Sequence, residues 1–228
     1  MKKPVVDYRK LRLSNITSRE YRHLLLLIGW IAYFIMYFVT ERIIPESRCH
    51  VIHSVVDDII PFNEYFVLFY ASWYFYMVWS LLEFLFYDIK SFVKAQKLIV
   101  GMQIIAIVTY IVWPSVQYLR PDHFEHANLC TWILGIIYSM DTPTGVCPSL
   151  HVGYTIAVLS AWLTAKDIKL SKRIFVTVWA LLICISVCFV KQHSFTDVLA
   201  ALVLFVFLKL ILFGRDFKIG QAQIRRQT

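Results

Sequence analysis

The stretch LLLLIGWIAYFIMYFVT, residues 24–40, decides the fold class, because it contains no charged side chain. A helix needs roughly 17–25 apolar residues to cross the hydrocarbon core of a bilayer, and this run reaches that length. Five further uncharged apolar runs follow, at residues 65–82, 98–119, 150–165, 174–190 and 198–208. The last run continues past Lys209, because a lysine near a helix end can extend its ammonium to the interface. The sequence therefore predicts six transmembrane helices.

The composition supports this prediction and excludes a soluble domain. Of the 228 residues, 59% are hydrophobic and only 17% are charged, and the mean hydropathy is +0.62. A soluble domain of this length carries a larger share of charged residues. We therefore expect one all-α polytopic membrane domain over residues 24–214. A further apolar piece, residues 131–140, is too short to cross and is expected in the interface or at the mouth of the bundle.

Lysine and arginine are distributed unequally between the two sides that six helices define. Eighteen of the 23 lie before the first run or after the second, fourth and sixth runs, and four lie in the alternate connections. Because cytoplasmic loops carry the excess of positive charge, both termini are predicted to be cytoplasmic. Residues 1–23 and 215–228 are then basic cytoplasmic tails, and the net charge of +8 faces anionic lipid rather than nucleic acid.

The unusual polar residues collect at the opposite, non-cytoplasmic ends of the predicted helices. They are Arg120 at the end of the third run, Ser149 and His151 at the start of the fourth, Lys191 and His193 at the end of the fifth, and Asp197 at the start of the sixth. Cations, histidines and a carboxylate brought to one depth from four helix ends are typical of a functional site. We expect an active site on the non-cytoplasmic face.

The sequence PSLH, residues 148–151, predicts how one part of this site is built. Pro148 suits the first turn of a helix, where its missing N–H would have no partner in any case. The free N–H groups of that turn and the positive end of the helix dipole favour an anion. Ser149 adds a hydroxyl donor, and His151 is placed to give a proton to a leaving group.

The segment VKQHSFTD, residues 190–197, supplies the other part. His193 and Asp197 are four residues apart, so on a helix they share a face and the carboxylate fixes one imidazole nitrogen as its N–H. The other nitrogen is then available as a nucleophile or base. Lys191 and Arg120 supply the positive charge that a phosphate requires.

Three of these pieces resemble the motifs of the type-2 phosphatidic acid phosphatase superfamily, the integral-membrane lipid phosphatases and phosphotransferases. PSLH contributes Ser149 and His151, and HSFTD contributes His193 and Asp197. LRPD, with Arg120, matches part of the family's first motif. The resemblance extends from residue 113 to about residue 204 and includes the predicted six-helix layout.

The resemblance implies a phosphatase that hydrolyses a lipid phosphate monoester or diphosphate, such as phosphatidic acid, phosphatidylglycerol phosphate or a polyprenyl diphosphate. It implies that His193 forms a phosphohistidine, that Asp197 orients His193, and that His151 protonates the leaving oxygen. It implies phosphate contacts from Arg120, Ser149 and Lys191. It implies neither a metal nor a cofactor, and the expected partner is a membrane lipid.

Two positions depart from the family pattern. Trp113 stands where the first motif has a lysine, and Val187 stands where the third motif has an arginine. Lys191 is the residue available to replace one lost cation. The form VKQH together with CPSLHV resembles the branch that includes the sphingomyelin and inositol phosphorylceramide synthase types. That branch implies a second hypothesis, a lipid phosphotransferase that moves a phospho-head-group to a lipid alcohol.

Two non-enzymatic hypotheses remain open. A transporter of a phosphorylated solute also needs a cationic cavity at the membrane boundary, although this chain shows no internal repeat and its polar set lies at one end of the helices. Paired histidines also ligate haem, which the colour of the purified protein would reveal. Replacement of His193 separates an enzyme from a carrier, because it stops turnover and can leave binding intact.

The other histidines and cysteines carry weaker signals. In the predicted outer loops, four histidines and four acidic residues are interpreted as exposed charge rather than as metal ligands. They are His50, His53, His123 and His126 with Asp57, Asp58, Asp122 and Glu125. Cys184 and Cys188 are interpreted as small apolar residues of the fifth helix. Cys49, Cys130 and Cys147 share the non-cytoplasmic side, where one disulfide fits but its pairing stays open.

Overall fold

The computed structural model describes the backbone of residues 3–224 and the side chains of residues 3–214. Within this range the chain is mostly helical, with two short strands. The α-helices are α1 (Ile28–Ile43), α2 (Val55–Ile59), α3 (Val67–Tyr87), α4 (Ile89–Val112), α5 (Leu129–Met140), α6 (Leu150–Thr164), α7 (Leu170–Phe189) and α8 (Phe195–Ile224). Strands β1 (His50–Val51) and β2 (Ser115–Val116) pair in parallel. The side chains of the expected C-terminal tail, residues 215–228, lie outside the described residues.

In the described part of the chain, five helices are long and apolar enough to cross a membrane, which confirms the prediction of an α-helical membrane protein. They are Arg22–Ile43, Glu64–Tyr87, Ile89–Val112, Leu170–Phe189 and Phe195–Gly214. The sixth predicted span, residues 150–165, corresponds to the shorter helix α6. Its 15 residues extend about 22 Å at 1.5 Å per residue. The number of six spans therefore stays a prediction, as does the membrane side on which each end lies.

Large apolar side chains cover the outer surface of these helices. On α1 the exposed residues include Ile31, Phe34 and Ile35, and on α8 they include Val203 and Leu210. Soluble proteins rarely expose contiguous apolar patches of this kind, whereas a bilayer offers a matching solvent. The outward faces are therefore suited to lipid.

Helix α6 lies at the centre of the helix bundle and contacts α3, α4, α7 and α8. Small residues on its faces allow the neighbouring backbones to approach closely. Gly153, Ala157 and Ala161 follow one another at intervals of four and are all buried. Toward its C-terminal end, the fully buried ring of Trp162 donates a hydrogen bond to Ser80 on α3 over 2.9 Å. The central position of α6 fixes the location of His151, which stands in its first turn.

The third predicted span, residues 98–119, does not form one helix. Helix α4 begins earlier, at Ile89, and ends at Val112. Pro114 has no N–H and disfavours a helical conformation at the residue before it, so the chain turns and forms β2. Arg120 therefore lies in a loop after β2, and the expectation that it ends a transmembrane helix is wrong.

The expected N-terminal tail is folded against the end of α3. The Tyr8 hydroxyl hydrogen-bonds His23 Nε2 at 2.8 Å and donates to the Leu85 carbonyl at 3.0 Å. The Val5 N–H donates to the Phe86 carbonyl at 2.8 Å. The side chain of Tyr21 is also buried. Residues 5–23 are thus part of the folded structure.

The close packing of α1 on α4 leads to a first prediction. A Cβ atom at Gly29 would lie 2.7 Å from Val100 Cγ2 and 3.1 Å from Gln103 Oε1, and valine is too stiff to yield easily. Gly29→Ala should therefore lower the free energy of unfolding by about 1–3 kcal/mol. Gly135→Ala on α5 is the matched control, since nothing lies within 4 Å of its Cβ position. Equal melting temperatures for the two variants in detergent would contradict the packing described.

Candidate active site

The turn between α7 and α8 brings His193 and Asp197 together. His193 Nδ1 lies 3.4 Å from Asp197 Oδ2, and the same oxygen accepts the Ser194 N–H at 3.0 Å. The two residues do not share a helix as expected, because α8 begins only at Phe195. The contact forms because Asp197, in the first turn of α8, reaches back as a helix cap. Asp197 is fully buried, and its Oδ1 has no hydrogen-bond partner among the described residues.

The start of α6 differs in detail from the prediction. Ser149 caps the helix, and its hydroxyl oxygen accepts the Val152 N–H at 3.5 Å. Pro148 therefore precedes the helix rather than standing in its first turn. The Ser149 N–H donates to the Asp197 carbonyl at 3.2 Å, which joins the beginnings of α6 and α8. Ser149 is fully buried and acts as a structural link between the two motifs.

The two histidines face one cavity. Their ring centroids are 5.8 Å apart, close enough for both rings to contact a single small group. The His151 ring packs against Tyr70 at 4.7 Å and Trp73 at 4.6 Å between centroids. His151 Nε2 is buried and has no hydrogen-bond partner among the described residues. This nitrogen is therefore available to form a hydrogen bond with a molecule in the cavity.

The cavity has a volume of about 300 Å³ and is lined mainly by aromatic side chains. Helix α1 contributes Trp30, Tyr33, Phe34, Tyr37 and Phe38, helix α3 contributes Tyr70, Trp73 and Tyr74, and α4 contributes Tyr110. Glu41 and Asp141 add carboxylates near the histidine end. Along α1 the lining extends over three turns, about 16 Å at 1.5 Å per residue. The shape and chemistry suit a molecule with a polar head and an apolar tail.

Arg120 lies directly behind the cavity wall. Its guanidinium donates to three backbone carbonyls, those of Tyr138, Asp141 and Thr142, at 2.9 to 3.4 Å. It also donates to Gln192 Oε1 at 2.6 Å. All these acceptors are uncharged, and no carboxylate pairs with Arg120 within the described part of the chain. The positive charge therefore has no direct ion-pair partner in the described residues, although the side chain itself does not line the cavity.

The structure directs Lys191 away from the cavity. Its ammonium donates to the backbone carbonyls of Asp57 at 2.8 Å and Ile60 at 2.6 Å. Only 8% of Lys191 is exposed, and it is not among the residues that line the cavity. In this arrangement Lys191 anchors the α2 region to the α7–α8 turn and is not in place to hold a phosphate.

Asp57 was expected to be exposed loop charge, and the structure contradicts this. Only 3% of Asp57 is exposed, and its carboxylate accepts from the Ser54 N–H, the Ser194 hydroxyl and the Phe195 N–H. Burial alone would raise the pKa of Asp57, but these hydrogen bonds outweigh it and the pKa is lowered. The neighbouring Asp58 does behave as exposed charge. The spacing of Ser54 and Asp57 fits a helix capping box, which was the only local signal.

Asp141 is a second carboxylate that the sequence did not single out for the site. Its Oδ1 accepts a hydrogen bond from the Tyr37 hydroxyl at 3.2 Å. Burial raises the pKa of Asp141, and the nearby charges of His193 and Arg120 offset part of this shift. The cavity therefore combines histidines with a carboxyl group that is easier to protonate than usual.

The cysteines and the loop histidines form no further centre. All five cysteines are free. Over the described residues, no group of three or more His, Cys, Asp or Glu side chains is arranged to hold a metal ion. His53 instead pairs with Asp58 at 2.8 Å on the surface.

Comparisons with known proteins do not place this chain. No family model matches it, and neither a curated protein nor a solved structure matches it. The resemblance in the motifs around His151 and His193 therefore stays a hypothesis about the family.

The raised pKa of Asp141 leads to a prediction about stability. Asp141→Asn should raise the melting temperature by a few degrees at about pH 7, because the amide removes the cost of burying a charge and keeps an acceptor for Tyr37. Below 3.8, the ordinary pKa, the carboxyl is neutral in both folded and unfolded protein and the gain should disappear.

Thermal unfolding in detergent at about pH 7 and about pH 3 checks this sign. Asp58→Asn is the matched control, because that carboxylate is exposed and should change stability little at either pH. A gain for Asp141→Asn that is equal at both pH values would show that burial of charge is not its cause.

Proposed function

We propose that this protein is an integral-membrane phosphatase that hydrolyses a lipid phosphate monoester or diphosphate through a phosphohistidine intermediate. The observation that carries the proposal is the pairing of His193 with Asp197, opposite His151, at one end of an aromatic cavity. Nucleophile, orienting carboxylate and proton carrier are the three roles that phosphoryl transfer through histidine requires.

His193 is the nucleophile in this proposal. Asp197 Oδ2 accepts a hydrogen bond from the Nδ1–H of His193, so Nε2 carries the lone pair that attacks phosphorus. A bond forms between Nε2 and phosphorus while the bond from phosphorus to the lipid oxygen breaks. The buried carboxylate of Asp197 stabilises the positive charge that develops on the ring.

His151 moves the proton in both steps. The bound phosphate anion stabilises the protonated form of the His151 ring, whose unpartnered Nε2 then gives its proton to the departing lipid oxygen, so the lipid leaves as an alcohol or a monophosphate. In the second step the same nitrogen takes a proton from a water molecule that attacks the phosphohistidine. Free phosphate leaves and both histidines return to their starting states.

Positive charge for the phosphate comes from two sources near the histidines. Helix α6 begins beside α8, and its first turn presents the positive end of its helix dipole, whereas the start of α8 is already capped by the carboxylates of Asp57 and Asp197. Arg120 lies behind Gln192 with no carboxylate partner in the described part of the chain, so its field reaches the cavity. Together they stabilise the charge on the equatorial phosphate oxygens.

A lipid phosphotransferase is the second candidate, and the aromatic lining of the cavity favours it. The walls from α1 and α3 continue directly from the histidines, which gives an apolar acceptor a place beside the phosphohistidine. In that reaction a lipid alcohol replaces water and receives the phosphoryl or phospho-head-group. The first half of the reaction, and the roles of His193 and His151, stay the same.

The proposal includes an orientation in the membrane. The termini are cytoplasmic and the histidines lie on the non-cytoplasmic face, as the distribution of lysine and arginine indicates. The substrate then enters from the outer leaflet, with its head at the histidines and its tail along α1.

Replacement of either histidine should nearly abolish turnover. His193→Ala and His151→Ala are each expected to lower the rate by about three orders of magnitude or more, because each removes one member of a unit. The assay follows lipid products by mass spectrometry with phosphatidic acid, a polyprenyl diphosphate and phospholipid donors, with and without a lipid alcohol. His123→Ala, in an exposed loop, is the control and should retain full activity.

The same assay separates the candidate functions. Free phosphate without an added alcohol indicates hydrolysis, and a new phospholipid that requires the alcohol indicates transfer. In either case a phosphorylated peptide that contains His193 is expected. Turnover of His193→Ala within tenfold of the wild type, or retained binding without any turnover of the wild type, would contradict the proposed chemistry.

Cys49 provides a test of the orientation. Among the five cysteines it lies in the loop after α1, partly exposed and outside the long helices. A maleimide that cannot cross the membrane should label Cys49 in intact cells and should not label Cys49→Ser. The matched variant carries Lys166→Cys in the Cys49→Ser background and places a thiol in the exposed loop at the other end of α6. Labelling of Lys166→Cys instead of Cys49 would reverse the proposed orientation.

A further inference from the structure

The short segment around α2 holds the turn that carries His193. Asp57 Oδ2 accepts the Ser194 hydroxyl at 2.6 Å, and Asp57 Oδ1 accepts the Phe195 N–H at 2.7 Å. In the opposite direction, Lys191 donates to the carbonyls of Asp57 and Ile60. The segment from Asp57 to Ile60 is thus bonded to the residues on both sides of His193.

The Asp57 carboxylate serves as a helix cap for a distant part of the chain. Phe195 is the first residue of α8, so its N–H has no partner inside the helix. Asp57, 138 positions earlier, satisfies that N–H and also places a negative charge at the positive end of the helix. A buried carboxylate is costly unless it is well hydrogen-bonded, and Asp57 also has the Ser54 N–H as a third donor.

The same turn contains a competing acceptor. Asp197 Oδ2 is shared between the Ser194 N–H and His193 Nδ1, and Asp197 Oδ1 has no partner in the described residues. Without Asp57, the Ser194 hydroxyl and the Phe195 N–H would both lose their acceptor, and an asparagine there would leave one acceptor oxygen for the two donors. The free oxygen of Asp197 is the nearest carboxylate on the same turn, and bonds to it would draw Asp197 away from His193.

We propose that Asp57 is a positioning residue: it accepts the hydrogen bonds of the Ser194 hydroxyl and the Phe195 N–H, and thereby leaves the Asp197 carboxylate bonded to His193 Nδ1. The inference rests on the proposed function only in that His193 is the nucleophile. Its structural part, the control of the His193 ring by Asp57, stands without any assumption about substrate. Asp57 acts through other residues and does not contact the cavity.

Kinetics of Asp57→Asn test the proposal. The amide keeps the size of the side chain but removes the charge and one acceptor oxygen. We expect kcat to fall by about 10–100-fold, as for other groups that orient a reactive residue, with KM within about twofold of wild type. Asp58→Asn is the matched control on the same helix, since its side chain is 64% exposed, and it should keep kcat within about twofold.

A double-mutant cycle distinguishes positioning from a general structural effect. In an Asp197→Asn background, His193 Nδ1 no longer has a carboxylate partner for Asp57 to keep in place. Adding Asp57→Asn should therefore lower kcat by a further factor of less than about three. The same 10–100-fold loss in both backgrounds, or no loss in either, would overturn the proposal. If Asp57→Asn does not fold, Ser194→Ala removes one of the three hydrogen bonds to Asp57, together with the acceptor of the Thr196 N–H, and should lower kcat in the same direction by a smaller factor.

Nitrogen NMR of labelled histidine gives a readout that is independent of turnover. In the wild-type protein His193 should show one tautomer, protonated at Nδ1, and the His193→Ala spectrum identifies its signals. Asp57→Asn should give a mixture of tautomers, whereas Asp58→Asn should not. If Asp57→Asn gives this mixture of tautomers but the wild-type protein turns over no lipid, the inference is supported and the proposed function is rejected. If turnover depends on His193, but Asp57→Asn and Asp58→Asn have the same spectra and the same rates as each other, the inference is rejected and the proposed function is not.

Discussion

The backbone hydrogen bond from the Ser149 N–H to the Asp197 carbonyl joins the beginnings of α6 and α8, and the rest of the site depends on it. Because each helix starts at this junction, His151 and His193 are placed within one cavity by backbone geometry. The positive end of the α6 dipole lies at the same place, and the carboxylates of Asp57 and Asp197 cap the start of α8. The electrostatic character of the site is therefore set by the main chain of α6 together with these two carboxylates.

The two cations near the site illustrate how the fold handles charge in an apolar environment. Arg120 and Lys191 donate to carbonyl and amide oxygens, and neither pairs with a carboxylate in the described part of the chain. Uncharged acceptors bind the terminal nitrogens of Arg120 and the ammonium of Lys191 without neutralising their charge, and Arg120 Nε is buried without a partner in the described residues. Arg120 can therefore act on the cavity at a short distance, whereas the ammonium of Lys191 stabilises the turn that holds His193.

Local patterns in the sequence predict the parts of this protein that local spacing determines. The apolar runs give the long helices, and the four-residue interval predicts the contact of His193 with Asp197, although the contact forms across a turn and a helix cap and not within one helix. The burial of Asp57 and the direction of Lys191 could not be predicted, because both depend on partners more than 130 positions away. The end of α4 before Arg120 was signalled by Pro114, but the apolar run through it concealed the break.

Helix α1 forms a wall of the cavity yet packs mainly on α4, and only 11% of its apolar stretch is buried. The histidines, Asp197 and the α6–α8 junction belong to other elements. Selection can therefore alter the aromatic residues of α1, and with them the molecules that fit, while the reacting groups stay unchanged. The α1 wall of the cavity and the two histidines are thus encoded in separate stretches of the chain, so one can change in sequence without the other.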